Sequence, residues 1–113
     1  MAETKEKAPL TPEEARRLLT ASRAKIDSVD RKIVDLLNER TRMVEDIGRS
    51  KMVLQMPVKE PNREEAVYRN ALLQNKGPIP NDAVQRIFEQ IMAEMRELQG
   101  MRRAENDAAD GKK

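Results

Sequence analysis

The chain has 113 residues, with 22 basic against 20 acidic for a net charge of +2, and 38% hydrophobic against 37% charged side chains. One Phe, one Tyr and no Trp leave few large rings for a broad β core, so core building falls to Leu, Ile, Val and seven Met, which suits long amphipathic helices with wet outer faces. The absence of Cys and His excludes disulfides, a thiol nucleophile, a His-based triad and ordinary zinc sites, and the interspersed charges argue against a nucleic-acid surface.

Residues 1–11 carry no apolar run and read as a disordered lead. No window is long and apolar enough to cross a membrane, so the expected location is cytoplasmic. A helical domain is expected over 12–102. It opens at "TPEE", with Thr11 as N-cap, Pro12 in the first turn, and Glu13 and Glu14 against the positive helix end. From there to Gln55 no proline occurs and Gly48 is the one glycine. Leu19, Ile26, Val29, Ile33, Leu36, Val44 and Ile47 recur at spacings of three or four or sums of these. This predicts one helix of about forty residues, near 60 Å long, more than a small globule needs. A thin core and a long unpaired stripe favour a second copy as partner.

"MPVKEPNREE" ends that helix, because Pro57 and Pro61 cannot continue it. Asn62 with Glu65 three residues on resembles a capping box, which predicts a second helix from about Arg63 to Asn75. "NKGPIP" stops it. A third helix starts near Asn81 or Asp82, with Val84, Ile87, Phe88, Ile91, Met95 and Leu98 on its stripe. Residues 103–113 lose their apolar positions and are expected to fray as a flexible charged tail.

Three polar residues stand on apolar stripes. Arg40 and Lys51, eleven residues apart, differ by only about 20° around the helix axis. Gln99 lies about 40° from Met95 on the third helix. Single exposed Arg and Lys often snorkel, and Met95 alone reads as core. The combination is more informative: no acid is visible on the same faces to neutralise the two cations, so a small polyanion between helices would complete the site. Arg23 lies about 42 Å before Lys51 along an ideal helix, too far for one small ligand to touch both. In a dimer of antiparallel long helices, Arg23 of one copy could approach Arg40 and Lys51 of the other, with Arg63, Glu64 and Glu65 of "NREE" beside them.

The stretches "SRAKIDSVDRKIVDLLNER", "VEDIGRSK", "PVKEPNREEAV" and "IFEQIMAEMRELQ", in this order and spacing, resemble the all-helical AroQ class of chorismate mutases over Leu18 to Gln99. The resemblance implies an all-α intertwined homodimer with three helices per chain, one of them very long. It implies the Claisen rearrangement of chorismate to prephenate on the route to phenylalanine and tyrosine, with no cofactor, metal or covalent intermediate. Carried onto this sequence, Arg40 and Arg23 of the second copy would hold the substrate carboxylates. Lys51 and Gln99 would donate to the ether oxygen of the breaking bond. Glu64 would accept from the ring hydroxyl with Glu60 nearby, and Arg63 would support the substrate and the acidic pair. Met95 occupies a minor carboxylate contact where the family often carries Ser, Ala or Gly, and Glu60 stands where Asp is common. A pericyclic step needs no acid, base or nucleophile, so a chain without His or Cys is no obstacle. Fixed donors at an oxygen that gains charge stabilise the transition state more than the ground state.

Two other readings remain open on the sequence. One is an isochorismate–pyruvate lyase on the same fold, against which the Arg63–Glu64 pair and Gln99 weigh. The other is a catalytically silent helical module that dimerises or regulates an aromatic-pathway enzyme.

Overall fold

The computed structural model describes residues 8–111; the lead up to residue 7 and the final two tail positions lie outside the described residues. Three α-helices make up the architecture, with no strand among the described residues: α1 (Pro12–Val53), α2 (Pro61–Gln74) and α3 (Asn81–Gly111). No helix among them is long and apolar enough to cross a membrane. The chain divides into two units, residues up to Glu39 and residues from Arg40 onward.

The first unit is the N-terminal part of α1. Its start is a reciprocal cap: Glu14 N–H donates to Thr11 Oγ1 at 3.1 Å, and Thr11 N–H donates to Glu14 Oε1 at 3.0 Å. That donation holds the Glu14 carboxyl below its ordinary range. The apolar stripe of this unit stays uncovered within the chain: Leu19, Ile26, Ile33 and Leu36 are 49%, 55%, 49% and 61% exposed.

The second unit holds the rest of α1 with α2 and α3. Its core is small and rests on Val44, Met92 and Met95. Met92 is absent from the predicted α3 stripe, whereas the predicted Ile87 is 50% exposed. The face that packs therefore runs through Met92, Met95 and Gln99, and Ile87 falls to its side. Gly48 lies against Gln99, where an added Cβ would sit 3.6 Å from Cγ.

The end of α1 is a Schellman turn. Met56 N–H bonds Lys51 C=O at 2.8 Å, Gln55 N–H bonds Met52 C=O at 3.3 Å, and Gln55 takes the left-handed conformation at φ 58°. This turn reverses the chain so that residues 58–60 return past Lys51.

Two boundaries differ from the sequence expectation. The Asn62–Glu65 capping box does not form: α2 begins two residues earlier at Pro61, with Glu60 as N-cap and no side-chain cap bond. Proline suits the first helical position because its missing N–H would be unpaired there anyway. At the other end, α3 runs on to Gly111 instead of fraying from 103. Residues 101–109 are good helix formers apart from Asn106 and Asp107, and Arg102 ties the extension to α1 through Glu45 at 3.0 Å and along α3 to Glu105 at 3.3 Å.

Candidate active site

All the side chains that line a cleft of about 380 Å³ in the second unit belong to residues 40–99, with α1 supplying Arg40 and Lys51, α2 and its approach Glu60, Arg63 and Glu64, and α3 Met92, Met95, Arg96 and Gln99. Seven of the eight residues singled out from the sequence thus meet in one place. The eighth, Arg23, is exposed in the first unit.

Lys51 sits at the buried end of this cleft, 6% exposed. Its ammonium donates to Val58 C=O at 2.7 Å and to Gln99 Oε1 at 3.2 Å, and it pairs with Glu60 Oε1 at 2.9 Å. An ammonium has three N–H donors; Val58 and Gln99 accept two of them, and Glu60 adds an ion pair. The Schellman turn explains two of the three contacts, because it brings Val58 and Glu60 back over α1. The acid that neutralises one striped cation lies off the striped faces. It is Glu60, paired with Lys51, and it escaped the face analysis because it lies outside α1, nine residues along the chain.

A lysine offers no acceptor, so its contact with Gln99 selects the amide orientation with Oε1 towards Nζ. That leaves the Gln99 NH₂ group as a donor on this side of the cleft.

Arg40 is half-buried and pairs with no carboxylate among the described residues; its Nη2 reaches Met92 Sδ at 3.3 Å, a weak acceptor. Burial, and then the neighbouring Arg63 guanidinium, press its pKa below the ordinary arginine value, and it remains a cation. Met95 is buried and accepts from Thr41 Oγ1 at 3.7 Å through its sulfur. It stands in the cleft as an apolar wall.

Glu64 is held by Arg96, whose Nη1 lies 2.6 Å from Oε2, with side chains 13% and 32% exposed respectively. The sequence expectation gave the support of the acidic pair to Arg63. The structure places Arg96 on Glu64 and Lys51 on Glu60, while Arg63 is exposed and forms no ion pair among the described residues. Arg96 went unnoticed because it resembles any surface arginine of a helix. The available signal was its position three residues before Gln99 and four after Met92, on the same α3 face.

The electrostatic balance follows. Arg40, Lys51, Arg63 and Arg96 face the cleft against the carboxylates of Glu60 and Glu64, an excess of two positive charges. Both carboxylates are already engaged. The arrangement is a small, half-apolar pocket with unpaired guanidiniums at one end and a lysine–amide pair at the other. It suits a compact dianion with an electron-rich oxygen between its charges.

Comparison with known proteins agrees with that chemistry. Residues 22–100 match the family model described as chorismate mutase type II. The chain is 39% identical over 80 residues to a bifunctional chorismate mutase/prephenate dehydratase of Pseudomonas aeruginosa, covering 66% of this chain and 22% of that protein. It is 42% identical over 77 residues to the protein of the same description from Neisseria gonorrhoeae, covering 68% and 21%. The chain therefore spans about a fifth of the length of these curated relatives. Among solved structures, chorismate mutase (form II) of Thermus thermophilus aligns with a TM-score of 0.71 and 34% identity over 73% of this chain and 93% of that one. The matched span contains every residue singled out above, and the chain belongs to the type II chorismate mutase family.

Proposed function

We propose that this chain is a chorismate mutase, an isomerase that rearranges chorismate to prephenate for the synthesis of phenylalanine and tyrosine. The observation that carries the reading is the charge balance of the cleft: two uncompensated positive charges, in a family whose name specifies a dicarboxylate substrate.

The geometry supports a division of labour. Arg40, unpaired and half-buried, takes one substrate carboxylate, and Arg23 of a second copy takes the other. Held at both ends, the flexible enolpyruvyl arm is kept in the compact pose that brings the reacting carbons together. Lys51 and the Gln99 NH₂ donate to the ether oxygen as negative charge grows on it. Both are fixed before reaction by Val58, by Gly48 contact and by each other, so little reorganisation accompanies bond breaking. Glu64, fastened by Arg96, accepts from the ring hydroxyl with Glu60 nearby, and Arg63 attracts the substrate at the rim. Met95 and Met92 supply the apolar wall that keeps water from the reacting carbons.

The homodimer belongs to this reading. Its support is the exposed stripe of the first unit, Leu19, Ile26, Ile33 and Leu36, which a second long helix would bury alongside Arg23. Relatives that join chorismate mutase to prephenate dehydratase support association with another aromatic-pathway enzyme as a further partner. The cytoplasm is the setting, on the sequence grounds given above.

The test is direct. Purified protein is mixed with chorismate, its loss is followed by ultraviolet absorbance, and the product is identified. Prephenate is the expected product; absence of turnover overturns the reading.

A further inference from the structure

The empty cleft already contains an anion of its own. Lys51 is its most buried cation, and Glu60 Oε1 forms an ion pair with its ammonium at 2.9 Å. Val58 C=O and Gln99 Oε1 accept two of its three N–H groups. A substrate anion that approaches Lys51 therefore meets a carboxylate already seated on that cation.

The three partners of Lys51 differ in their freedom to leave. The Val58 acceptor is backbone, at 2.7 Å, and set by the turn that ends α1. Gln99 is a neutral amide lodged against Gly48, and an incoming anion does not repel it. Glu60 is a carboxylate, so a dianion approaching Lys51 repels it directly. Its side chain is 30% exposed, so water is at hand when it moves. Its backbone stays anchored as the N-cap of α2, with its C=O accepting from Glu64 N–H at 3.0 Å. The same N-cap position gives the carboxylate a second resting place. The first turn of α2 has no side-chain cap, and its free N–H groups and positive end favour a carboxylate.

We propose that Glu60 is the resident anion of the cleft and sets its affinity: it closes on Lys51 when the site is empty, and a bound dicarboxylate displaces it towards the start of α2. The proposal deepens the function proposed above and rests on it for the identity of the natural ligand. Its consequence is that part of the intrinsic affinity is spent on opening the Lys51–Glu60 pair. For a partly exposed ion pair this reduces apparent affinity by about fivefold. Glu60 is in this respect an affinity-setting residue, distinct from one that merely braces Lys51.

The experiment titrates the full chain with cis-cyclohexane-1,3-dicarboxylate, an unreactive ring dianion, by calorimetry. It compares the parent with Glu60→Gln and Glu60→Asp, and records kcat and KM for chorismate on the same preparations. Glu60→Asp keeps the charge but shortens the arm by about 1.5 Å, one carbon–carbon bond, and so withdraws it from Lys51. The expected result is about fivefold tighter probe binding in both variants, with KM for chorismate falling in step. Tighter binding in Glu60→Gln alone would reduce the effect to bulk charge and overturn the proposal. Unchanged or weaker binding in both, with kcat falling at constant KM, would make Glu60 a brace and overturn it too, as would absence of probe binding to all three proteins. If the probe behaves as expected while the parent fails to turn over chorismate, the proposed reaction falls and the resident anion stands. If chorismate is turned over and neither variant gains affinity, only the resident anion falls.

Discussion

Replacing Lys51 by methionine removes one ammonium and keeps an unbranched stem of similar length. The side chain is 6% exposed, so the loss is felt where water cannot easily replace it. Three contacts disappear: Val58 C=O at 2.7 Å, Glu60 at 2.9 Å and Gln99 at 3.2 Å. Glu60 is 30% exposed and regains water, and the Gln99 amide can turn, so the lasting stability cost is the one backbone carbonyl left unpaired, about 1–2 kcal/mol. In a domain of this size that lowers Tm by roughly 5–10 °C, measured by circular dichroism at matched protein concentration. The effect on chemistry is larger and separable. Removing one preorganised donor from an oxygen that gains charge costs roughly 10²–10³ in kcat, about 3–4 kcal/mol of barrier. Rates are taken by chorismate absorbance well below the lowered Tm, at saturating substrate. A kcat within fivefold of the parent would refute the assignment of Lys51 to the ether oxygen. A large loss of kcat with no change in Tm would refute the bonding to Val58 as a structural contact.

Three further outcomes follow from particular residues. Arg23→Ala and Arg40→Ala chains should each be nearly inactive, and mixing them through a denaturation–renaturation cycle should restore about one quarter of parental activity, since half the dimers are mixed and each has one complete site; no recovery would contradict a site shared between copies. Tyr68 is the single tyrosine of the chain, so absorbance at 295 nm reports it alone. Burial, then the carboxylates of Glu64 and Glu89, raise its pKa, so its midpoint should lie above the ordinary value of about 10, and Glu64→Gln should bring it down. Because the folded state keeps the phenol proton longer than the unfolded chain, this contribution to stability is intact below about pH 10 and is lost as pH rises through the folded midpoint; a midpoint at or below the free value would contradict that environment. Gln55→Gly should raise stability by about 1 kcal/mol, read as a higher Tm, because glycine accepts the left-handed conformation at the Schellman turn without the Cβ clash; a lower Tm would contradict the turn.

Much of the fold was legible because the signals are local. The start of α1 is written in Thr11, Pro12 and Glu14, whose cap closes within one helical turn. The length of α1 follows from a proline-free run with apolar residues every three or four positions. The same periodicity made Arg40 and Lys51 conspicuous, since a face can be computed from spacing alone. The Asn62–Glu65 box was misread because that motif also occurs within a helix already begun by a proline. The end of α3 was misread because its last turns are held by helix propensity and by an Arg102 contact across 57 positions, not by an apolar stripe.

The sequence by itself determined the helices, the striped cations and the chemical family, since each depends on residue type at short spacing or on an ordered pattern of such stretches. Only the tertiary structure decided which charge meets which. Lys51 found Glu60 through the backbone reversal after Val53, Glu64 found Arg96 across 32 positions, and Arg40 was left facing a thioether. Pairing of charges depends on side-chain heads meeting within a few ångströms, and no periodicity along one helix encodes where another helix will place its own.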